Sequence, residues 1–374
     1  MNVGVGHTAA AEAIRDAILE REPTADCHIV NCYKYAASIV SRVVSDGYIG
    51  MVKTIPQMYR FLYSRAERAT EIGPFRAWVH QFTAANLRAL FERSKPDVVV
   101  CTHAFPCGVM SEYKKQFPDA PPVIGVVTDF VVHSFWIHRN IEAYAVATPE
   151  MRHVMAARGI PQERVIVAGI PVDARFAEPP ADRCALRTQL GVPPDRSVVL
   201  MMGGGLGIGP LEMMMRALGA VEAPLSAIAI VGRNTRLQNR VLEAAQHVNY
   251  PLRVLSFVDN VYDYMHAADV LLTKPGGLTS AEALVAGIPM ILVKPLPGQE
   301  ERNTRYLVEK NAALRAKSER ELIRLIGQVL TSTETRARME LAAAKIAKPN
   351  AARDIAALVL EKTASRQERS LHAV

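Results

Sequence analysis

Asp269-Val270-Leu271-Leu272-Thr273 is a short apolar run that reads as a buried strand, and Pro275-Gly276-Gly277 breaks it. Leu278 to Ala286 reads as the helix that follows, and after one more apolar run comes Pro297-Gly298-Gln299-Glu300. Strand, glycine turn, helix and strand in succession make a crossover unit, which belongs in a parallel sheet. A helix that starts after two glycines presents free N–H groups and the positive end of its dipole to an anion. Lys274, Pro275, Gly276, Gly277 and Thr279 would line such a site. Glu282 falls in the first turns of the helix, where a carboxylate can accept from the vicinal hydroxyls of a ribose. Diphosphate at a helix end with a carboxylate on the ribose is the chemistry of a nucleotide-sugar pocket.

The rest of the chain repeats this alternation, so parallel α/β sheets are expected throughout. In the first half, strands are expected at 27–31, 98–101, 123–127, 142–147 and 165–168, with a long helical stretch between the first two. In the second half they are expected at 198–202, 227–231, 253–257, 270–273, 290–293 and 313–315. At 374 residues, two domains are the default, and 49% hydrophobic with 22% charged residues is a globular balance without a disorder signature. The Pro-rich stretch 171–182 reads as the linker between an N-terminal domain, 1–170, and a C-terminal one, 183–345. A last helix, 346–374, is expected to pack back on the N-terminal domain. No run approaches the ~18 apolar residues of a membrane span. The five cysteines lack metal or redox spacing and read as reduced thiols.

Gly4-Val5-Gly6-His7 opens a helix whose Ala9, Ala10, Ala13, Ile14 and Ala17 form a buried stripe. Gly6 allows close approach to the backbone, and the helix dipole should keep His7 neutral and able to accept a proton. Asp129 follows the apolar run Val123–Val127 and so sits at a strand's carboxyl end, as either a general base or the cap of the next segment. His133, Trp136 and His138 cluster beyond it, and nothing of suitable spacing supports a metal reading. Gly203-Gly204-Gly205-Leu206-Gly207-Ile208-Gly209 joins a strand to a helix in the manner of a phosphate loop. It fits neither the dinucleotide fingerprint nor a Gly-Lys-Ser/Thr ending, which argues against an oxidoreductase or a P-loop nucleotidase.

Six of these segments, in this order, resemble the glycosyltransferases that move a hexose from a UDP-sugar onto diacylglycerol: the bacterial processive diacylglycerol glucosyltransferases and the plant monogalactosyldiacylglycerol synthases. They are Gly4–His7, Thr128–His138, Gly169-Ile170-Pro171, Gly203–Gly205, Lys274–Gly277 and Pro297–Glu300. The resemblance implies the GT-B architecture, two doubly wound Rossmann-like α/β domains with an interdomain cleft. It implies inverting transfer, with Asp129 as the first choice of base and His7 as the second, or as the group that orients the acceptor. His133 and Trp136 would shape the acceptor side, and Gly204 and Gly205 would face the donor diphosphate. Phe257 and Val258 would hold the uracil, while Gln299 and Glu300 would grip hexose hydroxyls with Asn303 beside them. The plain alternatives are Phe257 as core, and Gln299 and Glu300 as polar residues at a helix start. Glucose is favoured over galactose because Thr128–His138 is nearest the bacterial enzymes. In that family a buried strand runs straight into the Gly-x-Gly-His turn, so the natural start is expected to lie upstream of Met1.

The resemblance thus implies a UDP-hexose as donor and diacylglycerol as acceptor. No cofactor or metal is expected, because the Asp-x-Asp pair of metal-dependent enzymes is absent from the sequence. The alternatives are another lipid or polyprenyl acceptor, a UDP-sugar sensor with little catalysis, and a UDP-sugar epimerase. The net charge is +7, and the segment 34–95 holds ten Lys/Arg against four acids, interleaved with Tyr48, Tyr59, Phe61, Tyr63, Phe75, Trp78 and Phe82. Such a mix suits an anionic membrane surface. A solvated helical insert is the plain alternative, and single-stranded nucleic acid is the rival partner, disfavoured by the resemblance. The expected location is the cytoplasm, peripheral on the inner face of the cell membrane.

Overall fold

The computed structural model describes residues 5–36, 74–205 and 209–372, and its packing divides the chain into two units. The first comprises His7–Pro171 with Asn350–Val374, and the second is chiefly Val172–Pro349. The basic aromatic segment falls mostly on 37–73, outside the described residues, as do positions 206–208 of the glycine loop.

Unit 1 is built on a parallel sheet of β1 (Val99–Cys101), β2 (Val123–Val126), β3 (Ala143–Ala145) and β4 (Val165–Ile166), in that spatial order. β2 and β3 are buried along their whole length, as strands covered on both faces must be. One face, carrying Ile124, Val126, Ala143 and Ala145, packs on Ala13, Ile14, Ala17 and Ile18 of the helix Val5–Arg21. Ala352, Ile355, Ala356 and Val359 of the helix Ala351–His372 join the same cluster, so the chain's last helix belongs to its first unit. Arg353 forks onto Glu20 at 2.8 and 3.1 Å between the two helices. On the opposite face Tyr144 lies so close across β2 that a Cβ on Gly125 would stand 2.7 Å from its ring. The helix Ala104–Gln116 covers that face of β1 and β2, and Pro74–Ser94 packs on it in turn.

One expected strand does not form. Residues 27–31 carry no strand pairing, and Ile29 and Val30, whose apolar character suggested one, are exposed. Among the described strands β1 pairs with β2 alone and is the edge of the sheet, and 27–31 does not join it.

Unit 2 holds β5 (Ser197–Met202), β6 (Leu225–Ile230), β7 (Leu252–Leu255), β8 (Val270–Thr273), β9 (Met290–Val293) and β10 (Ala313–Ala316), all parallel. Each matches an expected apolar run to within two residues at either end. Their spatial order is β10-β9-β8-β5-β6-β7. The chain winds outward from β5 to β7, then returns to lay β8 on the other side of β5. The winding therefore reverses between β5 and β8, and open α/β sheets take ligands beyond the carboxyl ends of such a strand pair. Thr273 Oγ1 donates to the Met202 carbonyl at 3.2 Å and ties those two ends together. At the other end, Asp269 Oδ2 accepts from the Val198 N–H at 2.7 Å and from Arg187 at 2.8 Å.

Candidate functional site

In unit 2 the reversal point gathers most of the expected donor residues. Gly203–Gly205 leave β5 and Lys274–Gly276 leave β8, side by side in register. The helix Gly277–Ala286 begins with Gly276 as its N-cap and no side-chain cap, so its first N–H groups face outward from the strand end. Gly204 has φ +76, and a Cβ there would come 2.8 Å from Lys274 Cε. Only glycine lets the lysine stem lie across this loop. Lys274 Nζ donates to Glu300 Oε1, and Glu300 Oε2 accepts from the Leu296 N–H at 2.9 Å. Gln299 and Glu300 start the helix Gln299–Glu309. Asn303, fully buried, donates from Nδ2 to the Pro275 carbonyl at 3.1 Å, so it braces the lysine loop from behind.

Thr279 is half-buried in the first turn of the helix. Glu282, one turn on, is also partly exposed, yet burial and then the nearby charge of Asp173 push its carboxyl up to about 8. Ser280 was not anticipated from the sequence. Its Oγ is buried in the same turn with no hydrogen-bond partner among the described residues, and a serine in a helix carries no sequence signal that could have marked it. Phe257 and Val258 follow β7 and are half-buried, with the Arg233 guanidinium 4.1 Å from the centre of the Phe257 ring. One face of that ring is therefore already covered by a cation.

Gly6 and His7 lie in the first turn of the helix Val5–Arg21, and unit 1 takes in that helix from His7 onwards. His7 Nδ1 is 2.9 Å from the Thr102 carbonyl and 2.9 Å from Thr128 Oγ1. A carbonyl only accepts, so Nδ1 carries the proton and Nε2 keeps the lone pair. Thr128 turns its own hydroxyl proton towards Thr102 O at 3.4 Å, and Thr102 Oγ1 donates back to the His7 carbonyl at 2.9 Å. Burial lowers the His7 pKa to about 4, against the opposing hydrogen bond to Thr102. The ring is neutral at physiological pH. Asp129 follows Thr128 and is partly exposed beyond the end of β2.

The histidine–tryptophan cluster is largely packed away. Trp136 is 2% exposed in a 3₁₀ turn, Ser134–Trp136. His133 is buried with its ring edge-on to Phe135 at 5.2 Å. The His138 ring points back at the Phe135 carbonyl at 3.2 Å. No group of three His, Cys, Asp or Glu among the described residues is arranged to hold a metal ion.

His103 and Thr102 escaped the sequence reading, although the strand-end rule that singled out Asp129 applies equally to them. They follow β1, and the His103 ring meets the His7 ring edge-on with centroids 4.4 Å apart.

Two family models match the chain, one in each half. Residues 7–172 match the family model of monogalactosyldiacylglycerol (MGDG) synthase, and residues 198–359 that of the glycosyltransferase family 28 C-terminal domain. A processive diacylglycerol beta-glucosyltransferase of Bacillus cytotoxicus is 28% identical over 360 residues, 96% of this chain and 91% of that one. Its namesake in Bacillus mycoides is 27% identical over 358 residues, again 96% and 91%. Among solved structures, MurG of Acinetobacter baumannii aligns with a TM-score of 0.55 at 20% identity, over 76% of this chain and 79% of that chain. Anabaena HepE in complex with UDP aligns at 0.51 and 17%, over 78% and 82%. The UDP-GlcNAc 2-epimerase of Neisseria meningitidis aligns at 0.57 and 15%, over 75% and 82%. These likenesses establish the fold as GT-B. They leave the reaction open, since a transferase and an epimerase share it.

Proposed function

The chain belongs to the glycosyltransferases that join a monogalactosyldiacylglycerol synthase N-terminal half to a family 28 C-terminal half, and from that premise we propose that it moves a hexose from a UDP-sugar to diacylglycerol with inversion. The product is a β-glycosyldiacylglycerol, with glucose favoured over galactose by the names of the bacterial relatives. One observation carries the reading. At the reversal of unit 2's sheet a helix N-terminus, two glycine loops, a lysine and a half-buried glutamate meet. The diphosphate takes the helix end, the ribose hydroxyls take Glu282, and the hexose hydroxyls take Gln299 and Glu300. Val258 offers its backbone to the uracil, which stacks beside Phe257.

As the bond to UDP breaks, negative charge builds on the diphosphate. The first-turn N–H groups and Lys274 stabilise it there. In this reading neither a resident metal nor a cofactor takes part, because helix ends and Lys274 supply the positive potential.

The acceptor hydroxyl must lose its proton as it attacks the anomeric carbon from the face opposite UDP. Asp129 and His7 can each take it. The hydrogen bonds around His7 favour the imidazole, because Thr102 fixes its proton on Nδ1 and leaves Nε2 as the acceptor. Asp129, next to the threonine that touches this ring, is the second candidate and otherwise a counter-charge for the imidazolium formed.

The acceptor lies in a bilayer, and the reading includes peripheral attachment to its anionic inner face. No helix among the described residues is long and apolar enough to cross a membrane. Trp78 and Phe82, stacked at 5.8 Å and 52% and 41% exposed, stand at the start of the helix that continues the basic segment. Exposed rings with cations nearby suit headgroup depth.

Incubation with radiolabelled UDP-glucose or UDP-galactose and vesicles containing diacylglycerol tests the proposal. Labelled β-glycosyldiacylglycerol is the expected product. Label on a polyprenyl or other lipid instead would redirect the acceptor, and UDP-sugar binding without turnover would leave a sensor.

A further inference from the structure

His103 caps the helix Ala104–Gln116, and its Nδ1 accepts from the Phe105 N–H at 3.0 Å. An imidazole nitrogen that accepts has no proton, so in the neutral ring the proton must sit on Nε2. Burial, reinforced by the neighbouring His7 and His133, holds this ring well below the ordinary histidine pKa and therefore neutral. In His7 the assignment is reversed, with the proton on Nδ1 and the lone pair on Nε2. Two imidazoles of opposite tautomer thus stand 4.4 Å apart, each fixed by a backbone group, and neither Nε2 is spent on another described residue. One ring offers an acceptor and the other a donor.

A hydroxyl on carbon needs both, since it donates one hydrogen and accepts at its oxygen. In a glycerol head group the oxygens lie close enough for neighbouring rings to serve the reacting hydroxyl and the oxygen beside it. We propose that His103 is an acceptor-binding residue: its Nε2–H donates to an oxygen of the glycerol head group whose hydroxyl proton is taken at His7 Nε2. The inference rests on the function proposed above. Its surroundings suit an amphiphilic head group. Tyr33 is edge-on to His103 at 5.9 Å and stacked on Phe105 at 4.6 Å, so an aromatic wall adjoins the polar pair.

His103→Asn separates this role from capping. Asparagine is a good N-cap and keeps an oxygen for the Phe105 N–H, but it is too short to replace the distal N–H. With diacylglycerol vesicles, kcat/KM for the acceptor should fall about tenfold to a hundredfold, while UDP affinity by calorimetry and the melting temperature stay at wild-type values. Unchanged acceptor kinetics would reduce His103 to a cap and overturn the proposal, as would an equal loss of UDP affinity. Ring-nitrogen NMR of histidine-labelled protein reads the tautomers without any substrate, with His7→Ala and His103→Asn identifying the signals. His7 protonated on Nδ1 and His103 on Nε2 are expected. The same tautomer in both rings would overturn the inference even in an active enzyme. Conversely, a wild type with the expected tautomers but no transfer to diacylglycerol would refute the function and leave the imidazole pair intact.

Discussion

Lys274 Nζ donates to one oxygen of the Glu300 carboxylate while the other oxygen accepts the Leu296 N–H at 2.9 Å. A lysine assigned to the diphosphate and a glutamate assigned to the hexose therefore hold each other before any donor arrives. Removing either partner leaves a half-buried charge uncompensated, so the two substitutions should be coupled. Lys274→Met should weaken both UDP and UDP-hexose binding, whereas Glu300→Gln should weaken UDP-hexose and spare UDP. In thermal unfolding the double variant should lose less than the sum of the singles, by about 0.5–3 kcal/mol. Additive losses would mean the ion pair contributes nothing to the folded loop.

Glu282 supplies a pH signature. Its folded pKa is raised from 4.5 to about 8, chiefly by burial and then by Asp173. Between those values the folded protein binds a proton that the unfolded chain has released. The stabilisation is fully present below 4.5 and is lost as pH rises through about 8. Glu282→Gln should remove that loss, so its melting temperature should gain on the wild type from pH 5 to pH 9. The same position should matter for the donor. Glu282→Ala is expected to raise KM for the UDP-sugar, with about 0.5–1.5 kcal/mol at stake per hydrogen bond while the carboxyl is neutral and about 1.5–3 kcal/mol once it ionises above about pH 8. Unchanged UDP affinity in calorimetry would move the ribose elsewhere.

The base can be identified by exchange. If His7 is the base, its lowered pKa of about 4 keeps it competent through mildly acidic pH. The acid limb of kcat/KM should then lie near 4, not near the 6.5 of an ordinary histidine. His7→Ala should lower kcat by roughly 10²–10⁴ with UDP binding intact. Asp129→Asn should cost less if the carboxylate only balances the imidazolium. Should Asp129→Asn abolish turnover and His7→Ala spare it, the two roles must be interchanged.

Much of unit 2 could be read from the chain because its signals are local. Apolar runs bounded by glycines define β5, β8 and β9, and Pro275-Gly276-Gly277 marks the helix start. The strand order was not readable, since pairing partners are set by packing across the whole unit. It is that order which brings Gly204 beneath Lys274. Residues 27–31 show the opposite failure, in which a correct apolar pattern finds no partner strand. The burial of Trp136 was not legible in the sequence either, because a large ring in a short turn is covered only once the turn packs. His103 and Thr102 follow β1 as Thr128 and Asp129 follow β2, but only the parallel pairing of the two strands brings these ends together around His7.

Attachment to membranes is the remaining test, and it turns on charge and aromatic rings together. The segment 34–95 carries ten basic residues against four acids, and the exposed Trp78 and Phe82 stand in its helical end. Cations attract the anionic surface over a screening length of about 8–10 Å, while rings bury at headgroup depth and are indifferent to salt. Vesicle binding should therefore rise with anionic lipid content and weaken as salt increases. Replacing Arg60, Arg65 and Arg68 by Gln should remove part of the salt-sensitive component. Trp78→Ala with Phe82→Ala should lower binding at every salt concentration. Neither set should change UDP affinity, because the donor groups all lie in unit 2. Equal binding of the wild type to neutral and anionic vesicles, at low and high salt, would show instead that the segment is an ordinary solvated insert.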